Sequence, residues 1–247
     1  MSHNKLRAVW HGAGRKWGRC KKLDYRVTAV LVAAGSSTRM GFDKLSFDLG
    51  GETVLERSVR AFDEYPEVDE LVLVTGASGE NAERAAARCK KPVQLVRGGA
   101  TRAESARNGV AAAHGALVAV HDAARPFVSQ SIIADTIAAA ARCGAAAPAV
   151  PVKDTIKTVA EDGAVTGTPD RSTLRAVQTP QVFEADLLKA ALQSALENEV
   201  PVTDDCSAVE RLGKVVYLID GDEENLKITT PVDLVIAEAI LAEREGR

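Results

Sequence analysis

Patterning along the chain begins with an uninterrupted apolar run at residues 27–34, closed by Gly35. Apolar side chains at successive rather than alternate positions predict a strand buried on both faces, as in a parallel sheet. Leu55, Val59 and Phe62 then recur at helical spacing. Residues 71–74 predict a second buried strand, and the Ala-rich stretch 81–89 predicts a helix. Residues 93–96 lead into Gly98-Gly99, 102–113 read as another helix, and 117–120 form a fourth strand running directly into His121-Asp122. A helix over 132–143, which Gly144 can terminate, precedes a fifth strand at 147–152. Strands alternating with helices predict a right-handed, mostly parallel α/β sheet covered on both faces. Ligands of such sheets sit beyond the carboxyl ends of the strands. The polar and glycine-rich clusters fall there, after the first, third and fourth strands.

The rhythm breaks between Lys153 and Val177. Two short β-prone runs, 155–159 and 164–168, flank Glu161-Asp162-Gly163, a hairpin signal. This segment, about 153–177, reads as a β-arm projecting from the domain. A lone two-stranded hairpin is marginal in water, so the arm is expected to pack on a partner subunit. A helix over 185–196, a strand over 215–219 and a closing helix with Pro231 in its first turn complete the pattern. No internal repeat or low-complexity linker interrupts it.

Charge divides the chain. Residues 1–26 hold eight Lys and Arg against Asp24 alone, about +7, which leaves the body near −10 for a net charge of −3. The basic segment has no apolar signal core and no periodicity, and reads as a basic flexible leader on a domain spanning 27–247, with attraction to RNA or an anionic surface as the alternative. An acidic body with 4% aromatic residues argues against nucleic acid as a partner. No stretch approaches a membrane span, so a soluble protein is expected, and the missing secretory signal and unpaired cysteines point to the cytoplasm. Cys20, Cys89, Cys143 and Cys206 are widely spaced, which fits reduced thiols better than a disulfide or metal set.

Two clusters carry candidate chemistry. The loop Ala33-Ala34-Gly35-Ser36-Ser37-Thr38-Arg39-Met40-Gly41, with Lys44 just beyond, can cradle phosphate oxygens on backbone N–H groups. Arg39 and Lys44 can neutralise charge that builds on a phosphorus under attack. A plain strand–helix turn with solvated cations fits this loop equally well. It is neither G-x-G-x-x-G nor a P-loop, which removes support for dehydrogenase and P-loop readings. The second cluster is His121-Asp122-Ala123-Ala124-Arg125-Pro126-Phe127. Asp122, ending a buried strand opposite the loop, is placed either to hold Mg²⁺ or to cap the next helix. His121 reads as a structural hydrogen-bonding residue, and Arg125 as a partner for Asp122 or another acid.

From about Val27 to Glu243 the sequence resembles the 2-C-methyl-D-erythritol 4-phosphate cytidylyltransferases. The resemblance rests on both clusters, on Gly98-Gly99 with Arg102 and Ser105, and on Val152-Lys153-Asp154-Thr155-Ile156-Lys157. It extends to Thr168-Pro169-Asp170-Arg171, Gln178-Thr179-Pro180-Gln181-Val182-Phe183, Thr203-Asp204-Asp205 and Asn225-Leu226-Lys227-Ile228-Thr229-Thr230-Pro231. It implies a Rossmann-like, GT-A-like nucleotidyltransferase fold and an Mg²⁺-dependent enzyme acting on CTP and a sugar-alcohol phosphate. It further implies that Arg39, Lys44, Arg171 and Lys227 are catalytic, and that Ala33, Ala34, Gly35, Gly99, Arg102 and Ser105 hold CTP. By the same resemblance, Thr155, Arg171, Thr179 and Thr203 surround the acceptor, and Asp122 binds the metal. The arm would cross a homodimer, so Thr155 and Arg171 would serve the neighbour's site. Arg175 stands where members often carry Trp, and Ala100 where an acid is common. No fused partner-enzyme domain follows, which reads as a monofunctional chain. The ribitol-5-phosphate cytidylyltransferases share several motifs and form the nearest alternative. A nucleotide sensor without activity is the alternative of another class.

Overall fold

The computed structural model describes residues 26–34, 43–76 and 79–246. The leader up to residue 25, and the loop positions Gly35 and Arg39, lie outside the described residues. In chain order the elements are β1 (Val27–Val32), α1 (Val54–Asp63), β2 (Glu70–Thr75), α2 (Glu80–Ala86), β3 (Val93–Arg97) and α3 (Arg102–Ala111). They continue with β4 (Leu117–Asp122), α4 (Gln130–Cys143), β5 (Ala145–Pro151), β6 (Thr158–Val159), β7 (Val165–Gly167) and β8 (Arg175–Val177). The last are β9 (Gln181–Glu184), α5 (Ala185–Glu197), α6 (Asp205–Arg211), β10 (Tyr217–Asp220) and α7 (Pro231–Arg244).

The main sheet runs β10-β5-β9-β4-β1-β2-β3, with β8 also on β5. The pairs β1–β2, β1–β4, β2–β3 and β5–β10 are parallel. β9 lies antiparallel between β4 and β5, and β8 is antiparallel to β5. The sheet is thus mixed but mostly parallel. Alternate residues of the central strands feed two cores. Ala29, Leu31, Leu71 and Leu73 pack with Leu55, Phe62, Ile133 and Ile137 on one face. Val30, Val72, Val118 and Val120 pack with Val110, Leu188 and Leu192 on the other. Each fully buried Leu, Ile or Phe contributes about 1.5–3 kcal/mol, which makes two-sided burial the main reason these strands are central. Helix α1 starts with a capping box in which Thr53 and Glu56 satisfy each other's backbone N–H groups. Helix α3 lies directly on the sheet because Gly109 faces it; a Cβ there would come within 2.5 Å of Val30 and Val74 side chains.

Three features depart from the sequence pattern. β4 extends two residues further than its apolar run, pairing Leu31 with His121 and Val32 with Asp122. Strand alternation therefore sends His121 to the α1 face, 4.9 Å from the Phe62 ring, and Asp122 to the α3 face. The apolar pattern does not announce β9 or α6; four residues after a proline are too few to show a period. The arm forms its own two-stranded sheet, shorter than the expected runs, with Val159 and Val165 each 60% exposed. Its turn is closed by Gly163 at φ +84°. Cys89, Cys143 and Cys206 are free thiols. No helix among the described residues is long and apolar enough to cross a membrane.

Candidate active site

At the carboxyl edge of the sheet a cavity of about 410 Å³ opens between β1, β4 and α3. Ala34, Lys44, Gly99, Arg102, Ser105, Asp122 and Lys227 are among its walls. Gly98, next to it, has no room for a side chain: a Cβ would collide with that of Ala34 and stand 2.9 Å from Ser105 Oγ. Ser105 Oγ in turn accepts the Gly99 N–H at 3.1 Å, which shapes the turn at the cavity wall.

Asp122 is the centre of the charge arrangement. Lys227 Nζ lies 2.8 Å from Oδ2, Arg102 reaches Oδ1 at 3.3 Å, and Arg125 Nε stands 4.0 Å from Oδ2. Burial alone would raise the Asp122 pKa, but Arg102, Lys227 and Arg125 together hold it well below the usual carboxylate range. Arg102 also grips Asp205, through Nη2 to Oδ2 at 2.9 Å and Nη1 to Oδ1 at 3.1 Å. Its guanidinium is desolvated, yet the two carboxylates raise its pKa further. Lys44 joins the group by donating to the Ile228 carbonyl at 2.8 Å. Arg102, Arg125 and Lys227 thus gather against Asp122 and Asp205 with Lys44 beside them, a net positive site suited to a polyanion.

Backbone geometry behind Asp122 is fixed by Thr179. The Asp122 N–H donates to Thr179 Oγ1 at 3.1 Å, so the hydroxyl proton turns to His121 Nδ1 at 3.0 Å. The ring then carries its proton on Nε2 and donates to the Arg125 carbonyl at 3.2 Å. Complete burial lowers the His121 pKa to about 4, so the imidazole is neutral at pH 7. His121 is a structural residue. Asp122 is not a helix cap either, since Ser129 caps α4.

The Lys227 loop is tied down by its neighbours. Asn225 Nδ2 donates to the Thr179 carbonyl at 2.9 Å, and Arg125 donates to the Asn225 carbonyl at 2.6 Å. The Ile228 N–H donates to the Ala124 carbonyl at 2.9 Å. Lys227 is thereby presented to β4 from about a hundred residues away in sequence.

The expected site residues therefore divide. Ala34, Lys44, Gly99, Arg102, Ser105, Asp122 and Lys227 share one cavity. Ala33 continues the β1 ladder through its N–H to the Val74 carbonyl at 2.8 Å. Thr179 is buried behind Asp122. Thr203 is exposed just before α6, its N–H donating to Ser207 Oγ at 3.1 Å. Thr155 and Arg171 belong to the arm; Arg171 donates to the Lys153 carbonyl at 2.8 Å and lines a separate surface cavity with Lys153 and Arg175. Gly35 and Arg39 are outside the described residues. Sequence reasoning does not single out Asp205 and Asn225 individually; each sits inside a recognised motif, and the motif is the only signal.

A mostly parallel sheet with a cationic, carboxylate-centred cavity at its carboxyl edge defines a nucleotide-handling α/β enzyme. Residues 27–243 match the family described as 2-C-methyl-D-erythritol 4-phosphate cytidylyltransferase. The chain is 45% identical over 225 residues to the protein of that name from Caldanaerobacter subterraneus subsp. tengcongensis, covering 87% of this chain and 98% of the relative. It is 45% identical to the one from Symbiobacterium thermophilum, covering 90% and 95% respectively. The crystal structure of 4-diphosphocytidyl-2C-methyl-D-erythritol synthase from Anaerococcus prevotii superposes with a TM-score of 0.80 at 32% identity, over 87% of this chain and 98% of that one. A 2-C-methyl-D-erythritol 4-phosphate cytidylyltransferase from Thermus thermophilus gives 0.73 at 35% identity, over 86% and 97%. The chain belongs to the 2-C-methyl-D-erythritol 4-phosphate cytidylyltransferase family, and it is a nucleotidyltransferase.

Proposed function

We propose that this enzyme transfers CMP from CTP to 2-C-methyl-D-erythritol 4-phosphate, releasing pyrophosphate, in non-mevalonate isoprenoid biosynthesis. The observation that carries the proposal is the meeting of Arg102 and Lys227 on Asp122, with Lys44 on the wall of the same cavity, in a chain of this family. An acceptor phosphate is already an anionic nucleophile near neutral pH, so no general base is needed. The locked, neutral His121 agrees with that. What the reaction needs is to bring two polyanions into line, and the cations lower that repulsion. Lys44 and Lys227 would take up charge on the phosphate under attack, a role in which Arg39, outside the described residues, is expected to join them.

Among the described residues no cluster of three or more His, Cys, Asp or Glu is arranged to hold a metal. Mg²⁺ is commonly held by one or two carboxylates plus substrate phosphates, and Asp122 fits that donor set. Asp122 would hold Mg²⁺ in exchange for part of its contact with Lys227, and the metal would supply further charge neutralisation. Exposed Ile156, Val159, Val165 and Val177 favour an arm that packs on a second copy in a homodimer, carrying Thr155 and Arg171 to the other site. A CTP donor is compatible with a cytoplasmic reaction, and the transfer itself calls for neither nucleic acid nor membrane.

The test is pyrophosphate release from CTP and Mg²⁺ with 2-C-methyl-D-erythritol 4-phosphate or ribitol 5-phosphate as acceptor. Preferred turnover of the methylerythritol phosphate is expected. Faster turnover of ribitol 5-phosphate would reassign the acceptor, and CTP binding without any release would make the protein a sensor.

A further inference from the structure

Arg102 stands between two acids, and the two contacts are unequal. To Asp205 it makes a bidentate pair at 2.9 and 3.1 Å; to Asp122 both contacts are 3.3 Å. Asp205 is completely buried, whereas the Arg102 side chain is 29% exposed at the cavity wall. Asp205 is itself held rigidly. Gln181 of β9 accepts the N–H groups of both Asp205 and Cys206 at 3.0 Å, and its amide donates to Asp204 Oδ2 at 2.8 Å. Asp204 and Ser207 cap the same turn reciprocally. A buried carboxylate so fixed serves as an anchor for a cation rather than as a ligand of solvent.

We propose that Asp205 is a positioning residue for nucleotide binding, acting through Arg102: its bidentate grip keeps the guanidinium at the cavity wall and holds its contact with the Asp122 carboxylate to the two longer 3.3 Å approaches. Without the Asp205 charge, Asp122 is the remaining acid within reach, and the guanidinium closes onto it. That shift removes a cation from the wall and occupies the oxygens that Lys227 and an incoming cation need. The inference rests on reading this cavity as the triphosphate site. The turn that carries Asp205 also carries Thr203, so a single clamp, Gln181, sets the position of both.

The test is a double-mutant cycle on CTP affinity in Mg²⁺, measured by titration calorimetry on the full chain with Asp205→Asn, Arg102→Gln and the pair. Asp205→Asn alone should weaken CTP by about tenfold to a hundredfold, the usual range for a lost charge-assisted contact. In the Arg102→Gln background the same substitution should change CTP affinity by less than about twofold, because independent sites add and coupled ones do not. Equal losses in both backgrounds would overturn the proposal, as would no loss in either. Should Asp205→Asn not fold, Asp205→Glu, which keeps the charge on a longer arm, reads the same coupling with the same two outcomes. A wild-type chain that binds no CTP overturns the nucleotide reading and this inference together; wild-type binding with an additive cycle overturns this inference alone.

Discussion

Replacing Asp122 with Asn removes one charge and almost no volume from the point where Lys227, Arg102 and Arg125 meet. Two opposite effects follow. Stability should fall, because buried cations lose their counter-charge. Breaking a buried pair costs roughly 3–5 kcal/mol, but Lys227 is 37% exposed and recovers solvent, so about 2 kcal/mol is expected. For a chain of this size that lowers Tm by about 4–8 °C. The Asp122 pKa is depressed in the folded state, so its contribution is complete above the unfolded value of about 4 and is lost as pH falls below it. The gap between wild type and variant should therefore be constant at neutral pH and narrow below pH about 4. Metal-free CTP, however, should bind the variant more tightly. A negative charge about 6 Å from a phosphate opposes it by at most about 3 kcal/mol at an effective dielectric constant near 20. Adding Mg²⁺ should reverse the order, since only the wild type offers the carboxylate. Urea melts at pH 7 and pH 3.5, with CTP titrations in EDTA and in Mg²⁺, read all of this. A variant that melts with the wild type, or binds metal-free CTP no better, would refute the charge argument.

His121 carries a pH signature of its own: its folded pKa of about 4 lies below the unfolded value, so unfolding takes up a proton between the two. Stability should fall by about 3 kcal/mol as pH drops from about 6.5 to about 4, and His121→Phe should flatten that part of the profile in denaturant titrations. Thr179→Val removes the acceptor of the Asp122 N–H and the donor to His121, and should cost about 2 kcal/mol in a urea melt while leaving the fold intact by circular dichroism. Lys44→Ala should bind CTP within about tenfold of wild type yet lose turnover by several orders of magnitude in the pyrophosphate assay. Mixing Lys44→Ala with Arg171→Ala under exchange conditions should restore about a quarter of wild-type turnover if the arm serves the neighbouring site, and none if it serves its own.

The order of elements was legible because the central strands are buried on both faces. Continuous apolar runs at Val27, Leu71 and Leu117 and Ala-rich helices between them leave one sensible α/β arrangement. The glycine turn before α3 and the charged residues after each strand also marked where the site would form. β9 was not legible: only Gln181, Val182 and Phe183 precede the α5 helix pattern, and its antiparallel place between β4 and β5 depends on pairing across the sheet. Asp122 was legible as the end of a buried strand, but that His121 and Asp122 are both strand residues follows from their ladder register with β1, because polar residues extend no apolar run.

The sequence by itself determined which residues carry charge and which element ends they occupy, because periodicity and local turn chemistry act over a few residues. Only the tertiary structure decided which charges meet. Lys227 reaches Asp122 because Asn225 and Arg125 fasten its loop beneath β4, and Arg102 is shared with Asp205 because Gln181 of β9 holds the α6 turn against it. The Lys227–Asp122 and Arg102–Asp205 pairs join residues about a hundred positions apart, and electrostatic coupling depends on separation in space. The same residues on a different sheet order would remain ordinary solvated ions.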